Sequence, residues 1–171
     1  MQCMRWTLYS KDIPTAFLQG EFLEEVKTTD GSKREAVVRP PPDAWNLLPR
    51  SAWPCSSFDP LAFFWYLLKA VYGLKDAPRL WMMALARILT AASWVTSAFD
   101  EQVFLRRGKD GSLIGILSAH VDDLGFAAEP AIADEVCQLL RKEYGKHSEV
   151  MLQEKYFKPL GYIYEEHSDG S

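Results

Sequence analysis

The stretch SAHVDDLGF, Ser118 to Phe126, places two aspartates side by side between an apolar run and a run of small residues. Two apolar runs with only these two residues between them predict a tight β-hairpin with Asp122 and Asp123 at its tip. Adjacent carboxylates repel each other, so the pair requires either open solvent or a bound cation. Asp-Asp also occurs in ordinary turns, because aspartate accepts hydrogen bonds from nearby backbone N–H groups. The dipeptide alone therefore favours the solvated turn.

The segments around this hairpin predict two helices and further strands. Residues 100–121 give a strand, a turn at Gly-Lys-Asp-Gly and a second strand that leads into the aspartate pair. Pro130 opens a helix that Gly145 ends, and its apolar positions are Ile132, Val136, Leu139 and Leu140. Asp76 caps an earlier helix, whose apolar face follows the helical period at Leu80, Trp81, Ala84, Leu85, Ile88 and Leu89.

The N-terminal segment predicts a strand that alternates in polarity and ends at Asp12, because Pro14 cannot continue a central strand. A short helix weakened by Gly20 follows, then a hairpin around Asp30-Gly31 and a long proline-rich excursion. One more strand is predicted around residues 162–164. Antiparallel strands interspersed with two helices predict an α+β fold, with the helices packed on one face of a small sheet.

Composition bounds the class of protein. A chain of 171 residues with 48% hydrophobic residues suits one domain, residues 1–171, with a packed core. The net charge of −4 argues against a broad electrostatic grip on nucleic acid, so any such binding requires local basic patches. Cys3, Cys55 and Cys137 have no metal-site or disulfide spacing, which favours a reducing intracellular setting. The longest apolar stretch is too short to span a membrane, so we expect no membrane partner.

The carboxylates are the candidate chemistry of the chain. If the strand that ends at Asp12 lies beside the hairpin that carries Asp122 and Asp123, three carboxylates converge at one edge of the sheet. Such oxygen clusters bind hard divalent cations, and Mg²⁺ takes one or two carboxylates together with phosphate oxygens. A pair of these ions clamps the attacking and leaving oxygens of a phosphoryl transfer.

Several segments, in the same order along the chain, resemble the reverse transcriptases of copia-type (Pseudoviridae-like) LTR retrotransposons. The matching stretches are DIPTAFLQGE (Asp12–Glu21), VVRPPPDAW (Val37–Trp45), LLKAVYGLKDAPRLW (Leu67–Trp81), HVDDLGF (His120–Phe126) and YFKPLGYIYEE (Tyr156–Glu166). The resemblance spans nearly the whole chain. It implies a polymerase palm that acts as an RNA-directed DNA polymerase, with an RNA template, a DNA primer and deoxynucleoside triphosphates as partners.

Roles for individual residues follow from this resemblance. Asp12, Asp122 and Asp123 match the catalytic carboxylates that hold two Mg²⁺ ions, for which Mn²⁺ can substitute. Phe17 matches the aromatic gate that stacks under the deoxyribose and excludes a 2′-hydroxyl, although ordinary core packing also suits it.

Five more residues stand at positions that contact nucleic acid or nucleotide in that family. Tyr72 and Gly73 match the motif along the nascent base pair, and Lys75 is expected to contact the nucleotide. Arg79 is expected to contact the template, although Lys75 and Arg79 also suit a solvated helix entry. His120 stands where the family has a Tyr, beside the primer end.

Other departures from the family lead to further expectations. Pro14 replaces a Lys close to the carboxylates, and residues 46–60 look like a proline-rich surface insertion. The chain begins only a strand before Asp12, so we expect a palm that lacks complete fingers and thumb, with integrase and ribonuclease H elsewhere in a polyprotein.

Three hypotheses therefore stand: an active polymerase palm, a catalytically inactive relic or domesticated fragment, and a small metal-dependent phosphohydrolase. No glycine-rich phosphate loop supports the third.

Overall fold

The computed structural model describes residues 6–145, 150–152, 156–157 and 164–165. The strands are β1 (Thr7–Asp12), β2 (Val37–Val38), β3 (Trp65–Tyr66), β4 (Trp94–Thr96), β5 (Val103–Arg107), β6 (Leu113–His120), β7 (Asp123–Ala128), β8 (Val150–Leu152), β9 (Tyr156–Phe157) and β10 (Tyr164–Glu165). The helices are α1 (Ala77–Ala91) and α2 (Pro130–Tyr144). The α+β class predicted from the sequence is confirmed.

The main sheet has six strands in the order β4-β5-β6-β7-β1-β8 among the described residues, and every neighbouring pair is antiparallel. The β6–β7 hairpin therefore lies at the centre, with β1 directly beside it. β2 pairs with β3, and β9 pairs with β10, in two separate ribbons. The predicted last strand is present at Tyr164–Glu165, while residues 162 and 163 lie outside the described part.

One face of the sheet carries the core. Alternate residues of β6 and β7, including Leu117, Leu124 and Phe126, are buried in one cluster with α1 and α2. The positions between them on β6, such as Ser118 and His120, are exposed. The apolar face predicted for α1 is buried at every position, and Gly145 ends α2 with a φ of 81°, as predicted. The helices therefore cover one face of the sheet and leave the other open.

The segment between β1 and α1 differs from the expectation. The predicted short helix is two 3-10 turns, Ala16–Gln19 and Leu23–Glu25. Asp30-Gly31 does form a turn, closed by a single bridge between Lys27 and Lys33, but Val37–Val38 pairs with β3 and not with the strand before the turn. The predicted hairpin is therefore confirmed at its turn, where Arg34 N–H also donates to the Val26 carbonyl. The predicted second arm was wrong, because Val37–Val38 finds its partner strand beyond the proline-rich excursion.

A satellite aromatic cluster organises residues 42–66. The Trp45 ring is 5% exposed and makes edge-on contacts with the rings of Phe58 and Trp65, at centroid distances of 4.9 and 5.6 Å. Trp53 packs edge-on against Phe58 at 5.3 Å. Most of residues 46–60 is exposed, and their assignment as an insertion stays a prediction.

Candidate active site

The pairing of β1, β7 and β6 places the predicted site residues in one row. Asp12 is the register partner of Asp123, and Asp123 is the register partner of His120. Side chains at directly opposite positions share a face of the sheet and have Cβ atoms roughly 5 Å apart. This face is the open one, since Asp12 and His120 are both exposed. The sequence expectation that β1 lies beside the aspartate hairpin is therefore met.

The hairpin tip differs by one residue from the prediction. The loop consists of Val121 and Asp122, because Asp123 already pairs with His120 as the first residue of β7. Only Asp122 lies at the tip; Asp123 belongs to the sheet. The alternation of the strands decides this: Leu124, Phe126 and Ala128 are buried, so Asp123 faces the open side.

Backbone strain lies at this site. Val121 has a φ of 52° and Thr15 has a φ of 54°, which makes them two of the three non-glycine residues with positive φ in the described chain. A β-branched residue in this region costs about 1–3 kcal/mol and persists only where its surroundings fix it. Val121 precedes Asp122, and Thr15 precedes the 3-10 turn that holds Phe17.

Two hydrogen bonds fix the strained loop. The Nε1 of Trp81, a residue that is fully buried in α1, donates to the carbonyl oxygen of Val121. The backbone N–H of Ile13 donates to the carbonyl oxygen of Asp122 at 2.8 Å. The loop is thus held by α1 on one side and by the residue after Asp12 on the other.

The carboxylates repel one another in the absence of a counter-ion. Burial raises the pKa of the Asp12 carboxyl, and the negative charges of Asp122 and Asp123 raise it further. An adjacent cation would lower the pKa of Asp12 and remove this repulsion. The charge distribution at the end of β1 is therefore one that a divalent cation would relieve.

Carboxylate oxygens are suitable ligands for Mg²⁺, although the described side chains do not converge on one point. Within the described residues, no group of three or more His, Cys, Asp or Glu side chains is arranged to hold a metal ion. Mg²⁺ needs only one or two carboxylates when phosphate oxygens and water complete its octahedron. Asp12 and Asp123 face each other across the strand pair, so this pair could supply both carboxylates without a change of backbone.

The two aromatic residues assigned to the nucleotide are packed against each other. The ring centroids of Phe17 and Tyr72 are 4.5 Å apart with the planes tilted by 54°. Phe17 is 8% exposed and belongs to the core cluster, whereas Tyr72 is 64% exposed. Tyr72 therefore covers Phe17, and core packing accounts for Phe17 in this arrangement.

The remaining predicted residues lie just before and at the start of α1. Gly73 has a φ of 96°, and a Cβ added to it would meet nothing within 4 Å, so the backbone there is open to close approach. Lys75 and Arg79 are exposed. Asp76 precedes the helix as predicted but makes no capping hydrogen bond; its carboxylate instead accepts from Arg34 Nε at 2.7 Å.

Other matched residues serve the packing of this segment. A Cβ on Gly20 would lie 3.1 Å from the backbone nitrogen of Trp81, so a side chain here would force the segment and α1 apart by a few tenths of an ångström. Glu21 accepts a hydrogen bond from Arg87 Nε at 2.8 Å, and Glu21 is 15% exposed. These contacts hold the segment after Asp12 against α1.

Lys11 was missed by the sequence analysis. Its side chain is 1% exposed and lies on the core face of β1, with no hydrogen-bond partner for Nζ within the described chain. Burial lowers the pKa of Lys11 to about 8, and the positive charge of Arg141 lowers it as well, against a raising effect of Cys137. The signal was present in the alternation of β1, where position 11 shares its face with buried Tyr9.

Comparison with curated proteins gives consistent relatives. The chain is 32% identical over 120 residues, 70% of its length, to the retrovirus-related Pol polyprotein from transposon RE2 of Arabidopsis thaliana. It is 26% identical over 113 residues to the corresponding polyprotein from transposon TNT 1-94 of Nicotiana tabacum. It is 34% identical over 83 residues to the putative transposon Ty5-1 protein of Saccharomyces cerevisiae. The chain is homologous to a segment of copia-type retrotransposon Pol polyproteins.

The match to these polyproteins is partial in length. The chain spans 7% of the RE2 and TNT 1-94 polyproteins and 26% of the Ty5-1 protein. No protein-family model and no solved structure matches this chain. Among the described helices, neither has the length and apolar composition needed to cross a bilayer.

Proposed function

We propose that the chain is the palm of an RNA-directed DNA polymerase, which adds deoxynucleotides to the 3′-hydroxyl of a DNA primer on an RNA template. The observation that carries the proposal is the register of β1 against β7, which sets Asp12 opposite Asp123 and next to the loop with Asp122. Homology to retrotransposon Pol polyproteins supports it.

Asp12, Asp122 and Asp123 are the residues that would hold Mg²⁺, or Mn²⁺ in its place. Bound there, a pair of Mg²⁺ ions supplies the charge that activates the primer hydroxyl and neutralises the triphosphate. The open face of the sheet leaves these carboxylates accessible to a primer end, and His120, the register partner of Asp123, lies on the side where that end would approach.

The segment before α1 suits the incoming nucleotide. Tyr72 presents an exposed ring, and the absence of a side chain at Gly73 allows a base pair to approach the backbone. Lys75 and Arg79 supply exposed cations for phosphate and template. In this proposal Phe17 can stack under the deoxyribose only when the ring of Tyr72 moves away from the ring of Phe17.

Primer extension tests the proposal. Extension of a DNA primer on an RNA template with Mg²⁺ is measured for the chain alone and for a longer product that includes the family's preceding fingers segment; we expect activity chiefly in the longer product. Asp122→Asn should abolish extension, whereas Asp134→Asn, an exposed carboxylate of α2, should not. Extension that persists in Asp122→Asn contradicts the assignment.

A second candidate function is an inactive or domesticated derivative of the same element. The side-chain placement favours it, since no three potential ligands of the described chain are arranged around one point and Phe17 is covered. Absence of extension in the longer product, together with absence of saturable Mn²⁺ binding, would decide for this candidate.

A further inference from the structure

The hairpin loop that carries Asp122 is held by a single side chain from outside the sheet. Trp81 lies in the second turn of α1 and its Nε1 donates to the Val121 carbonyl, 40 residues away in sequence. The ring of Trp81 also contacts Tyr144 at a centroid distance of 5.3 Å, so Trp81 is wedged between α2 and the loop. No other described side chain hydrogen-bonds to the backbone of this loop.

The loop needs such a hold for two reasons. Val121 adopts a φ of 52°, which a β-branched side chain disfavours. Asp122 also lies beside Asp12, since its backbone oxygen accepts from the N–H of Ile13 at 2.8 Å, and like charges repel each other. The strain and the repulsion both destabilise this position of the loop. The bond from Ile13 to Asp122 holds the loop from one side and Trp81 holds it from the other.

We propose that Trp81 is a positioning residue, whose indole N–H holds the Val121 carbonyl so that Asp122 stays beside Asp12 in a geometry that binds a divalent cation. The role in cation binding rests on the proposed function; the hold on the loop does not. Because Tyr72, Gly73 and Arg79 lie on or just before the same helix, Trp81 also fixes the distance between the proposed nucleotide segment and the carboxylates.

The test replaces the indole by a ring without a donor and compares it with a matched core tryptophan. Trp81→Phe removes the N–H and keeps an aromatic ring. Trp94→Phe is the control, because Trp94 is 1% exposed and its Nε1 has no hydrogen-bond partner within the described chain. Both variants lose similar apolar volume, and only the first loses a hydrogen bond.

Two measurements are made on each variant. Hydrogen exchange of the Ile13 amide, by NMR without metal and corrected for global stability, reports the hold on the loop. Binding of Mn²⁺ alone, by electron paramagnetic resonance of the free ion, reports the carboxylate geometry. A hydrogen bond contributes about 1 kcal/mol, so we expect roughly fivefold faster exchange and roughly fivefold weaker Mn²⁺ binding in Trp81→Phe than in Trp94→Phe.

Each outcome tests one part of the proposal. Equal Ile13 exchange in the two variants overturns the hold on the loop. Faster exchange with equal Mn²⁺ affinity overturns the link between loop and cation. If the wild-type chain shows no saturable Mn²⁺ binding, the proposed function fails while Ile13 exchange still decides the hold.

A second variant keeps the test decisive if Trp81→Phe does not fold. Val121→Gly removes the strained side chain from a half-buried position without opening the central core. It relieves the strain of the positive φ and keeps the backbone carbonyl that accepts from Trp81, so slower Ile13 exchange with undiminished Mn²⁺ binding is expected, and exchange that does not slow, or weaker Mn²⁺ binding, overturns the proposal.

Discussion

The ring of Phe17 packs against the ring of Tyr72 at a centroid distance of 4.5 Å, so Tyr72 covers a side chain of the core cluster. Phe17→Val should lower the free energy of unfolding by about 2 kcal/mol, because it leaves a cavity under Tyr72. Leu18→Val, at a neighbour that is 45% exposed, should change it by less than about 0.5 kcal/mol. Chemical denaturation measures both.

The same variant also tests the proposed sugar gate. In an active longer product, Phe17→Val should admit ribonucleotides more readily, which is measured as the ratio of ribonucleotide to deoxyribonucleotide incorporation. An unchanged ratio alongside the loss of stability would leave Phe17 as a core residue alone.

The charge of Asp12 should destabilise the metal-free chain and should be required for binding of the cation. Its folded-state pKa is raised, so its contribution is favourable at acid pH and is lost as the pH rises through the folded-state pKa. At neutral pH the Asp12 charge therefore destabilises the metal-free chain. Asp12→Asn should raise the free energy of unfolding by about 0.5 kcal/mol, a small value because Asp12 is largely solvated. Thermal unfolding with and without Mg²⁺ measures this.

The comparison in Mg²⁺ should reverse. Added Mg²⁺ should stabilise the wild-type chain and leave Asp12→Asn unchanged, since a cation that binds only the folded state stabilises it by mass action. Equal stabilisation of both proteins would place the cation elsewhere.

Lys11 should make stability depend on alkaline pH. Its folded-state pKa is lowered from 10.5 to about 8, so the folded chain releases a proton before the unfolded chain does. The free energy of unfolding should thus rise between pH 8 and 10.5, by up to about 3 kcal/mol. Lys11→Met should be the more stable protein below pH 8 and should lose this rise.

The measurement is the difference between wild type and Lys11→Met at each pH. Tyr144 also titrates with a raised pKa, and the difference cancels its contribution. The charges of Cys137 and Lys11 shift each other's pKa, so both proteins carry Cys137→Ala to remove that contribution. Lys142→Met, at an exposed position of α2, is the control and should follow wild type. A parallel pH course in wild type and Lys11→Met would contradict the buried charge.

The ion pair of Arg34 and Asp76 should link the turn at residues 27–33 to the start of α1. The guanidinium lowers the pKa of Asp76, so this stabilisation is complete above the unfolded-state pKa near 4 and is lost as the pH falls through the lower folded-state value. A double-mutant cycle with Arg34→Gln and Asp76→Asn should give a coupling of about 0.5–1 kcal/mol at pH 7. No coupling at pH 7 would show that the contact contributes nothing.

Hydrophobic periodicity and turn chemistry predicted those elements whose structure depends only on their own residues. The apolar faces of α1 and α2, the GKDG turn and the end of β1 before Pro14 follow from periodicity and from backbone chemistry. The ribbon of β2 and β3 did not follow, because its two strands are separated by the proline-rich segment and each has only two residues.

The sequence likewise predicted only part of the candidate site. The sequence left open whether β1 lies beside the aspartate hairpin, and the pairing of β1 with β7 shows that it does. The hydrogen bond from Trp81 to Val121 depends on which atoms meet between two elements, and no periodicity reports such a contact. The burial of Lys11, by contrast, follows from the alternation of β1.

Strand β1 carries opposite charges on neighbouring residues that face opposite sides of the sheet. A shift of its pairing by one position would bring the Asp12 carboxylate into the apolar interior and the Lys11 ammonium out among the acids. The first move would be penalised, because it buries a charge and a one-residue shift also exposes the buried ring of Tyr9, whereas the second would relieve the buried Lys11 ammonium. The register of β1 is therefore specified by Asp12 and Tyr9 and opposed by Lys11. The gain or loss of one codon within β1 would disrupt the buried face and the carboxylate row in a single step.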